Sequence, residues 1–231
     1  MKIQGLQKMT LLDYPGRVAC TVFLGGCDFR CPFCHNYELV EGSMPETVSE
    51  DEFFAFLDKR HGLLDGVAIT GGEPCLRRDL PEFIAKIRDA GFSVKLDTNG
   101  NSPTMLRHLV DEGLVDYVAM DVKNSPAKYA ETIGLREFDL GPICESIALL
   151  LQGDVSYEFR TTVIREFHEA HDFEEIGELI KGAERYFLQP FADRETVPDR
   201  SLSAPDPDNL REFREIAARF VKHAEIRGID T

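Results

Sequence analysis

Three cysteines, Cys27, Cys31 and Cys34, fall within eight positions in the run Cys27-Asp28-Phe29-Arg30-Cys31-Pro32-Phe33-Cys34-His35-Asn36. Three residues and then two separate them, a spacing from which tight turns can bring three thiolates onto one small object. An iron-sulfur cluster is the object that most often asks for cysteines alone, and three protein ligands on four irons leave one iron open. A disulfide cannot use three thiols, and a bridge between residues so near in sequence closes a strained loop. Zinc competes, because His35 could complete a Cys3His set. Yet His35 directly follows Cys34, and structural zinc sites usually draw their ligands from two separated pairs. Cys20, Cys75 and Cys144 stand alone in the chain.

The elements that must hold this loop follow a repeating pattern. Asp13-Tyr14-Pro15-Gly16 is a turn signature, and Val18 to Leu24 is an uncharged run of β-formers that Gly25-Gly26 ends just before Cys27. Ser49 and Glu52 have capping-box spacing ahead of Phe53, Phe56 and Leu57, with Gly62 closing the helix. Gly66 to Thr70 is the next strand and runs into Gly71-Gly72-Glu73-Pro74. Pro81 opens a helix with Leu80, Phe83, Ile84 and Ile87 on one face, closed by Gly91. Ser93 to Asp97 leads to Thr98-Asn99-Gly100, and Ser102-Pro103 caps a helix carrying Leu106, Leu109 and Val110 up to Gly113. Tyr117 to Lys123 is a fourth strand, followed by a loop from Asn124 to Gly141 with a short helical piece at Tyr129, and a helix from Ile143 to Leu151. Tyr157 to Ile164 is a fifth strand; Phe173, Ile176, Leu179 and Ile180 mark its helix, and Arg185 to Phe191 is the sixth strand. Asp193 to Asp208, rich in Pro and Asp, reads as an exposed loop that could serve as a lid. The last helix runs from Leu210 to Ala224, with Gly228 past its end.

Six strands alternating with helices predict an α/β fold with a parallel sheet. An open doubly wound sheet and an incomplete barrel both fit, whereas a closed eight-unit barrel usually needs about 250 residues. Residues 1–231 read as a single domain with a core at about 13–191 and a C-terminal loop and helix over 192–231. In such folds the chemistry gathers at the carboxyl ends of the strands. The unusual polar residues fall there: the cysteines, Glu73, Asp97 and Thr98, Asp121 and Lys123, Arg160 and His168, and Gln189. Plainer roles stand beside these. Gly71 to Pro74 could be an ordinary strand-to-helix turn, Asp97 an Asx turn, and Lys123 and Arg160 surface charges. His168 and His171 would flank a solvent loop, and Cys20 would be a small buried apolar residue. Cys75 has no role beyond a liability to oxidation.

The formal net charge is -15, from 41 acidic and 26 basic residues. A field of that sign repels nucleic acid and anionic membranes, and most of it reads as a solvated acidic surface. Met1 to Gln7 is short and polar, and no stretch approaches the roughly 20 apolar residues of a membrane span. The cytoplasm, which keeps thiols reduced, is the expected compartment.

With these motifs in their places, the sequence resembles the radical S-adenosylmethionine (SAM) enzymes. Within them it is most similar to the small activating enzymes of glycyl radical enzymes, above all the activating proteins of anaerobic ribonucleoside-triphosphate reductase. Asp13 to Gly16, Cys27 to Asn36, Thr70 to Pro74, Leu96 to Gly100 and Met120 to Lys123 carry the likeness, which spans Asp13 to Phe191. The resemblance implies a partial (β/α)6 TIM-like barrel of the radical SAM type. It also implies that Cys27, Cys31 and Cys34 bind a 4Fe-4S cluster whose open iron takes the amino and carboxylate groups of SAM. Phe33 would lie against the adenine, and Gly71, Gly72 and Glu73 would hold the methionine amino group. Asn36, Asp121, Lys123 and Arg160 match positions around SAM, and Asp97, Thr98 and Asp121 match ligands of a monovalent cation. The implied chemistry is reductive cleavage of SAM and removal of an unactivated hydrogen.

One departure narrows the choice. Many relatives carry a ferredoxin-like insertion with further cysteines, and this chain has none between Cys34 and Gly71. An external reductant such as flavodoxin or ferredoxin would then deliver the electron. The leading expectation is an activase of anaerobic ribonucleoside-triphosphate reductase. Activation of pyruvate formate-lyase or another glycyl radical enzyme, and a small-molecule radical SAM reaction such as deazapurine synthesis, are the alternatives within this chemistry. A zinc or iron-sulfur binding module without catalysis is the alternative outside it.

Overall fold

Long apolar runs make the inner strands, because a parallel sheet buries both faces. The computed structural model describes residues 1–42 and 44–228 and divides into two compact units. The first comprises Met1–Asp28, Asn36–Thr98 and Thr104–Val118; the second comprises Phe29–His35, Asn99–Pro103 and the chain from Ala119 onward. Eight strands stand in chain order in the sheet, and the fold is α/β as expected. Among the described residues no helix is long and apolar enough to cross a membrane.

In the first unit β1 (Gly5–Thr10), β2 (Ala19–Leu24), β3 (Gly66–Gly71) and β4 (Ser93–Thr98) are neighbours. β2, β3 and β4 are parallel, with Cys20 beside Val67 and Val67 beside Val94. Behind β2 the chain forms a single turn of helix, α1 (Tyr37–Val40), and then α2 (Glu50–Asp58), whose capping box forms as read: Glu52 N–H donates to Ser49 Oγ, and Ser49 N–H donates to Glu52 Oε2. Next, α3 (Leu80–Asp89) buries all four residues of its predicted stripe, and α4 (Pro103–Asp111) buries Leu106 and Leu109. β1 was not expected. It pairs antiparallel with β2, and Gln7, Lys8 and Met9 on it are exposed, so its sequence lacks the apolar face that marks an inner strand.

The sheet continues with β5 (Tyr117–Asp121), and in the second unit β6 (Ser156–Val163), β7 (Arg185–Pro190) and β8 (His223–Ile226) run parallel to one another. Helices α5 (Tyr129–Thr132), α6 (Gly141–Leu151), α7 (Ala170–Leu179) and α8 (Pro207–Ala217) complete it. The predicted last helix is too long: α8 stops at Ala217, and the residues read as its end form β8. The Phe220 ring seats over Gly177, where a Cβ would come within 2.3 Å of it, and Lys222 N–H donates to Ala183 O at 2.9 Å. The chain is thereby turned back, and pairing with the open side of β7 replaces further helix. Arg227 follows β8 and donates to both carboxylate oxygens of Glu158, whose side chain is 0% exposed, while lying 3.7 Å over the Phe187 ring. The segment 193–206 lacks regular structure, as expected, but it is not loose, since Val197 and Leu202 are buried.

Replacing Arg227 by Ala leaves a fully buried carboxylate without two charge-assisted hydrogen bonds. The expected loss is about 3 kcal/mol of stability, read as a lower urea midpoint. An unchanged midpoint would show that Glu158 is satisfied without Arg227.

Candidate functional site

The residues singled out for chemistry divide between the two units, and each set is built within its own. In the first unit the decisive contact is between two glycine-rich turns. Gly72 N–H donates to Leu24 O at 2.8 Å and Glu73 N–H to Gly26 O at 2.7 Å. A Cβ on Gly72 would stand 2.1 Å from Gly26 O, and one on Gly71, which sits at φ +123°, would stand 2.3 Å from Leu24 O. The space a side chain would need at Gly71 and Gly72 is therefore filled by the backbone that leads into Cys27. The carbonyls of Leu39 and Val40 accept the N–H groups of Gly26 and Cys27 at 2.7 and 2.9 Å, folding α1 back onto that turn. Asn36 Nδ2 donates to Gly71 O at 3.2 Å.

Glu73 is 1% exposed, and its Oε1 accepts from Cys75 N–H at 2.9 Å and Thr98 Oγ1 at 2.8 Å. These bonds cap the short 3-10 turn Pro74–Leu76 and aim the carboxylate. Burial and the Glu73 charge together push the Cys75 thiol well up, so it stays protonated and inert. Asp97 is ion-paired with the buried Lys95. Lys95 escaped the sequence reading, although a lysine in the middle of an apolar strand was a signal that it needs a buried partner. Gln4, also missed, is buried beneath Gly25; its Oε1 accepts Gly25 N–H at 2.8 Å, while its Nε2 has no partner among the described residues.

In the second unit Cys31 and Phe33 are buried and Cys34 is half-buried. Burial pushes the Cys31 thiol up to about 11, against the pull of the nearby Lys123 ammonium. Asp121 accepts from Lys123 Nζ at 2.8 Å and from Arg160 Nε at 2.9 Å. Burial alone would raise the Asp121 carboxyl, but Arg160 and Lys123 outweigh it and hold it well below the usual carboxylate range. The same pairing overcomes desolvation of Lys123 and keeps its ammonium charged. Tyr129, its hydroxyl pushed up by burial, accepts Lys123 N–H at 3.4 Å. Phe33 packs edge-on against Phe167, with ring centroids 6.3 Å apart.

His168 does not flank a solvent loop. It is buried, its Nδ1 accepts Ile164 N–H at 3.1 Å, and its Nε2 donates to Lys123 O at 3.0 Å, so it ties the end of β6 to the end of β5. Burial lowers its pKa and keeps the ring neutral. His171 is exposed, as read. The chain after Lys123 is anchored as firmly. Asn124 Nδ2 donates to Thr132 Oγ1 at 2.9 Å and to Phe167 O at 3.1 Å. Ser125 Oγ donates to Asp172 Oδ1 at 2.6 Å, and Lys128 Nζ and Glu169 N–H both reach Asp172 Oδ2 at 2.8 Å.

All six cysteines are free thiols. Among the described residues no group of three or more His, Cys, Asp or Glu side chains is arranged to hold a single metal ion. His35 is turned to other work, its Nε2 donating to Ala192 O at 2.7 Å. A donor set of three thiols on one loop suits a thiolate-bound cluster, whose irons lie apart from one another, better than one tetrahedral ion. The carboxylates matched to a monovalent cation, Asp97 and Asp121, already carry lysine or arginine as counter-charges.

Residues 21–180 match the family model described as the Radical SAM superfamily. The chain belongs to that superfamily. A Methanocaldococcus jannaschii protein provisionally named a glycyl-radical enzyme activating enzyme is 32% identical over 99% of this chain and 96% of its own length. A 7-carboxy-7-deazaguanine synthase of Thermococcus kodakarensis is 26% identical over 76% of this chain and 75% of its own. A crystal structure of a domain of pyruvate-formate lyase-activating enzyme from Bacteroides vulgatus superposes with a TM-score of 0.58, covering 71% of this chain and 99% of that one, at 16% identity. The fold is accordingly that of the radical SAM enzymes, and the protein is a radical SAM enzyme. Membership implies a 4Fe-4S cluster and SAM as cofactors.

Asp172, the anchor of the chain beyond Lys123, has its carboxyl lowered because Lys128, Ser125 and the Glu169 N–H outweigh burial. A depressed carboxyl contributes stability above its unfolded pKa of about 3.9, and the contribution is lost as pH falls through the folded value. Asp172→Asn is therefore expected to cost about 1–2 kcal/mol at pH 7, with the gap from wild type narrowing below about pH 4. Urea unfolding at both pH values checks this, and a constant gap would contradict it.

Proposed function

We propose that this enzyme is an activase that generates a glycyl radical on anaerobic ribonucleoside-triphosphate reductase, acting as a single radical SAM domain over residues 1–231. One observation carries the activase reading: the nearly end-to-end match with the archaeal protein named for glycyl radical enzyme activation. The choice of reductase rests on the motifs Asp13 to Gly16 and Cys27 to Asn36 and on the stretch between Cys34 and Gly71, which carries no cysteine. When bound, the cluster and SAM together supply reductive carbon-sulfur cleavage and a radical able to take a hydrogen from an unactivated carbon.

The protein's own residues supply position. Cys27, Cys31 and Cys34 are the cluster ligands in this reading, with the Lys123 charge easing deprotonation of the buried Cys31 thiol. Gly71, Gly72 and Glu73 receive the amino group of SAM, Glu73 as a buried carboxylate fixed by Thr98 and the Cys75 N–H. Asn36, Asp121, Lys123 and Arg160 surround the cofactor, Phe33 lies against its adenine, and Asp97, Thr98 and Asp121 are the positions for a monovalent cation. A hydrogen atom rather than a proton leaves the glycine, so no protein base is required, and buried walls such as Phe33 and Tyr129 exclude water. Cys20, Cys75 and Cys144 stand apart from one another in the sequence and form no second cluster motif, which supports an external flavodoxin or ferredoxin as the source of the electron. Six free thiols accord with a reducing, cytoplasmic setting.

A second reading, synthesis of a deazapurine, is favoured by the match to the deazaguanine synthase over 76% of the chain. Anaerobic reconstitution followed by reaction with SAM, reductant and candidate partners separates the two. The expected result is 5'-deoxyadenosine together with a glycyl radical signal in electron paramagnetic resonance when the reductase is present. Silence with the reductase, alongside a radical on pyruvate formate-lyase or a deazapurine product, would reject the first choice. Cys31→Ala should abolish SAM cleavage, whereas Cys20→Ala should retain it, because Cys20 is an apolar-like residue of β2 whose thiol burial pushes up to about 12.

A further inference from the structure

The segment that follows β7 makes more contacts with the cysteine loop than a connecting loop needs, all of them inside the second unit. Phe191 is buried, and its ring stacks on His35 with centroids 5.9 Å apart and planes 25° from parallel. His35 Nε2 donates to Ala192 O at 2.7 Å. Thr196 Oγ1 donates to His35 O at 2.7 Å, and Asp199 N–H donates to Pro32 O at 3.0 Å. Three hydrogen bonds and a ring stack thus fall on the four residues 32–35, with Cys34 between the two carbonyls that are held.

The segment is itself braced. Val197 N–H closes a turn onto Arg194 O at 3.0 Å, and Arg200 pairs with Asp193 at 2.9 Å, drawing the two ends of the bend together. Val197 is 3% exposed and pins the bend to the protein. Asp199 carboxylate accepts Ser201 N–H and Oγ–H, and Ser203 is tied to Glu166 through both its N–H and its hydroxyl. A segment anchored at Phe191, Val197 and Ser203 can transmit position to what it touches. A lid, by contrast, would have to leave these anchors to open.

We propose that residues 192–199 are a strap that sets the shape of the cysteine loop around Cys34, with Thr196 and His35 as its positioning residues. Thr196 is exposed, yet its hydroxyl is committed to a main-chain carbonyl of the loop. The bond fixes the carbonyl of His35, the residue next after Cys34, and with Pro32 O held by Asp199 N–H it confines the backbone on both sides of Cys34. On this account His35 serves through its ring and Nε2, both of which face the strap. An ordinary surface loop would contribute to stability alone; a strap must also control the thiol.

Metal-free, reduced protein supplies a test that needs no cofactor. Each thiol's rate of alkylation by limiting iodoacetamide is followed by peptide mass spectrometry, with the exposed Cys144 as an internal reference. Thr196→Val removes the hydroxyl while keeping shape, and Cys34 should react about fivefold faster, the factor that one intramolecular hydrogen bond carries. Cys144 should be unchanged, and Thr196→Ser should match wild type. In reconstituted protein, iron release to a chelator should accelerate in the same order. Equal Cys34 rates in wild type and Thr196→Val, or a Ser variant as fast as the Val variant, would overturn the strap. The iron-release arm rests on the cluster reading above. A wild type that takes up no cluster counts against that reading, while the alkylation rates still decide the strap.

Discussion

Gly26 O and the amide of Glu73 meet at 2.7 Å, and at that distance nothing but hydrogen fits on the α-carbon of Gly72. This approach of one backbone to another joins the turn after β2 to the turn after β3, so the start of the cysteine loop and the Glu73 carboxylate are placed by the same contact. Glycine pairs before and after a strand are usually explained by turn geometry or by a ligand's need for open backbone. Here a nearer cause operates: the two turns occupy each other's side-chain space. Asn36, reaching Gly71 O, and Thr98, reaching Glu73, then fasten the far ends of the same arrangement.

Charge is handled locally, against the acidic character of the whole chain. Cys20, Cys31 and Cys75 are all buried thiols, and burial raises each of them. Only Cys31 has an ammonium, that of Lys123, among the groups pulling it back down. Cys75 faces a carboxylate instead, and Cys20 faces no charge that matters. A metal must displace protons from the thiols it binds. Of these three buried sulfurs, Cys31 is the one whose rise is opposed by a neighbouring ammonium. Lys123 stays charged because Asp121 does, and Asp121 does because Arg160 shares it. Removing any one of the three would change what the other two can do.

The sequence was most legible where short-range rules and chemistry coincide. The cysteine spacing, the capping box at Ser49, the apolar stripe of α3 and the strand carrying Asp121 were all readable, because each depends on residues within a turn or two of one another. The missed elements depend on partners far along the chain. β1 and β8 are strands because β2 and β7 offer open backbone; Gly5–Thr10 lacks alternation, and the alternation of His223–Ile226 covers four residues only, directly after a helical pattern. His168 looked like a loop histidine because its donor and acceptor, Ile164 N–H and Lys123 O, are main-chain groups that leave no trace in residue type. The segment after β7 looked mobile from its prolines and aspartates, yet Val197 and the carbonyls of the cysteine loop hold it in place. Gln4 and Lys95 show the two extremes, one without any local signal and the other with a signal that was passed over.

The contacts from Ala192 and Thr196 to His35 span 157 and 161 residues of chain. Proteins emerge from the ribosome with the N-terminus first, and contacts of such separation cannot form until both partners exist. All three cysteines are therefore exposed to the cell long before the residues that shape their loop have been made. A growing chain carries these cysteines without the contacts from Ala192 and Thr196. The finished loop belongs to the completed protein, so its final shape is reached only once the chain beyond Thr196 has been made.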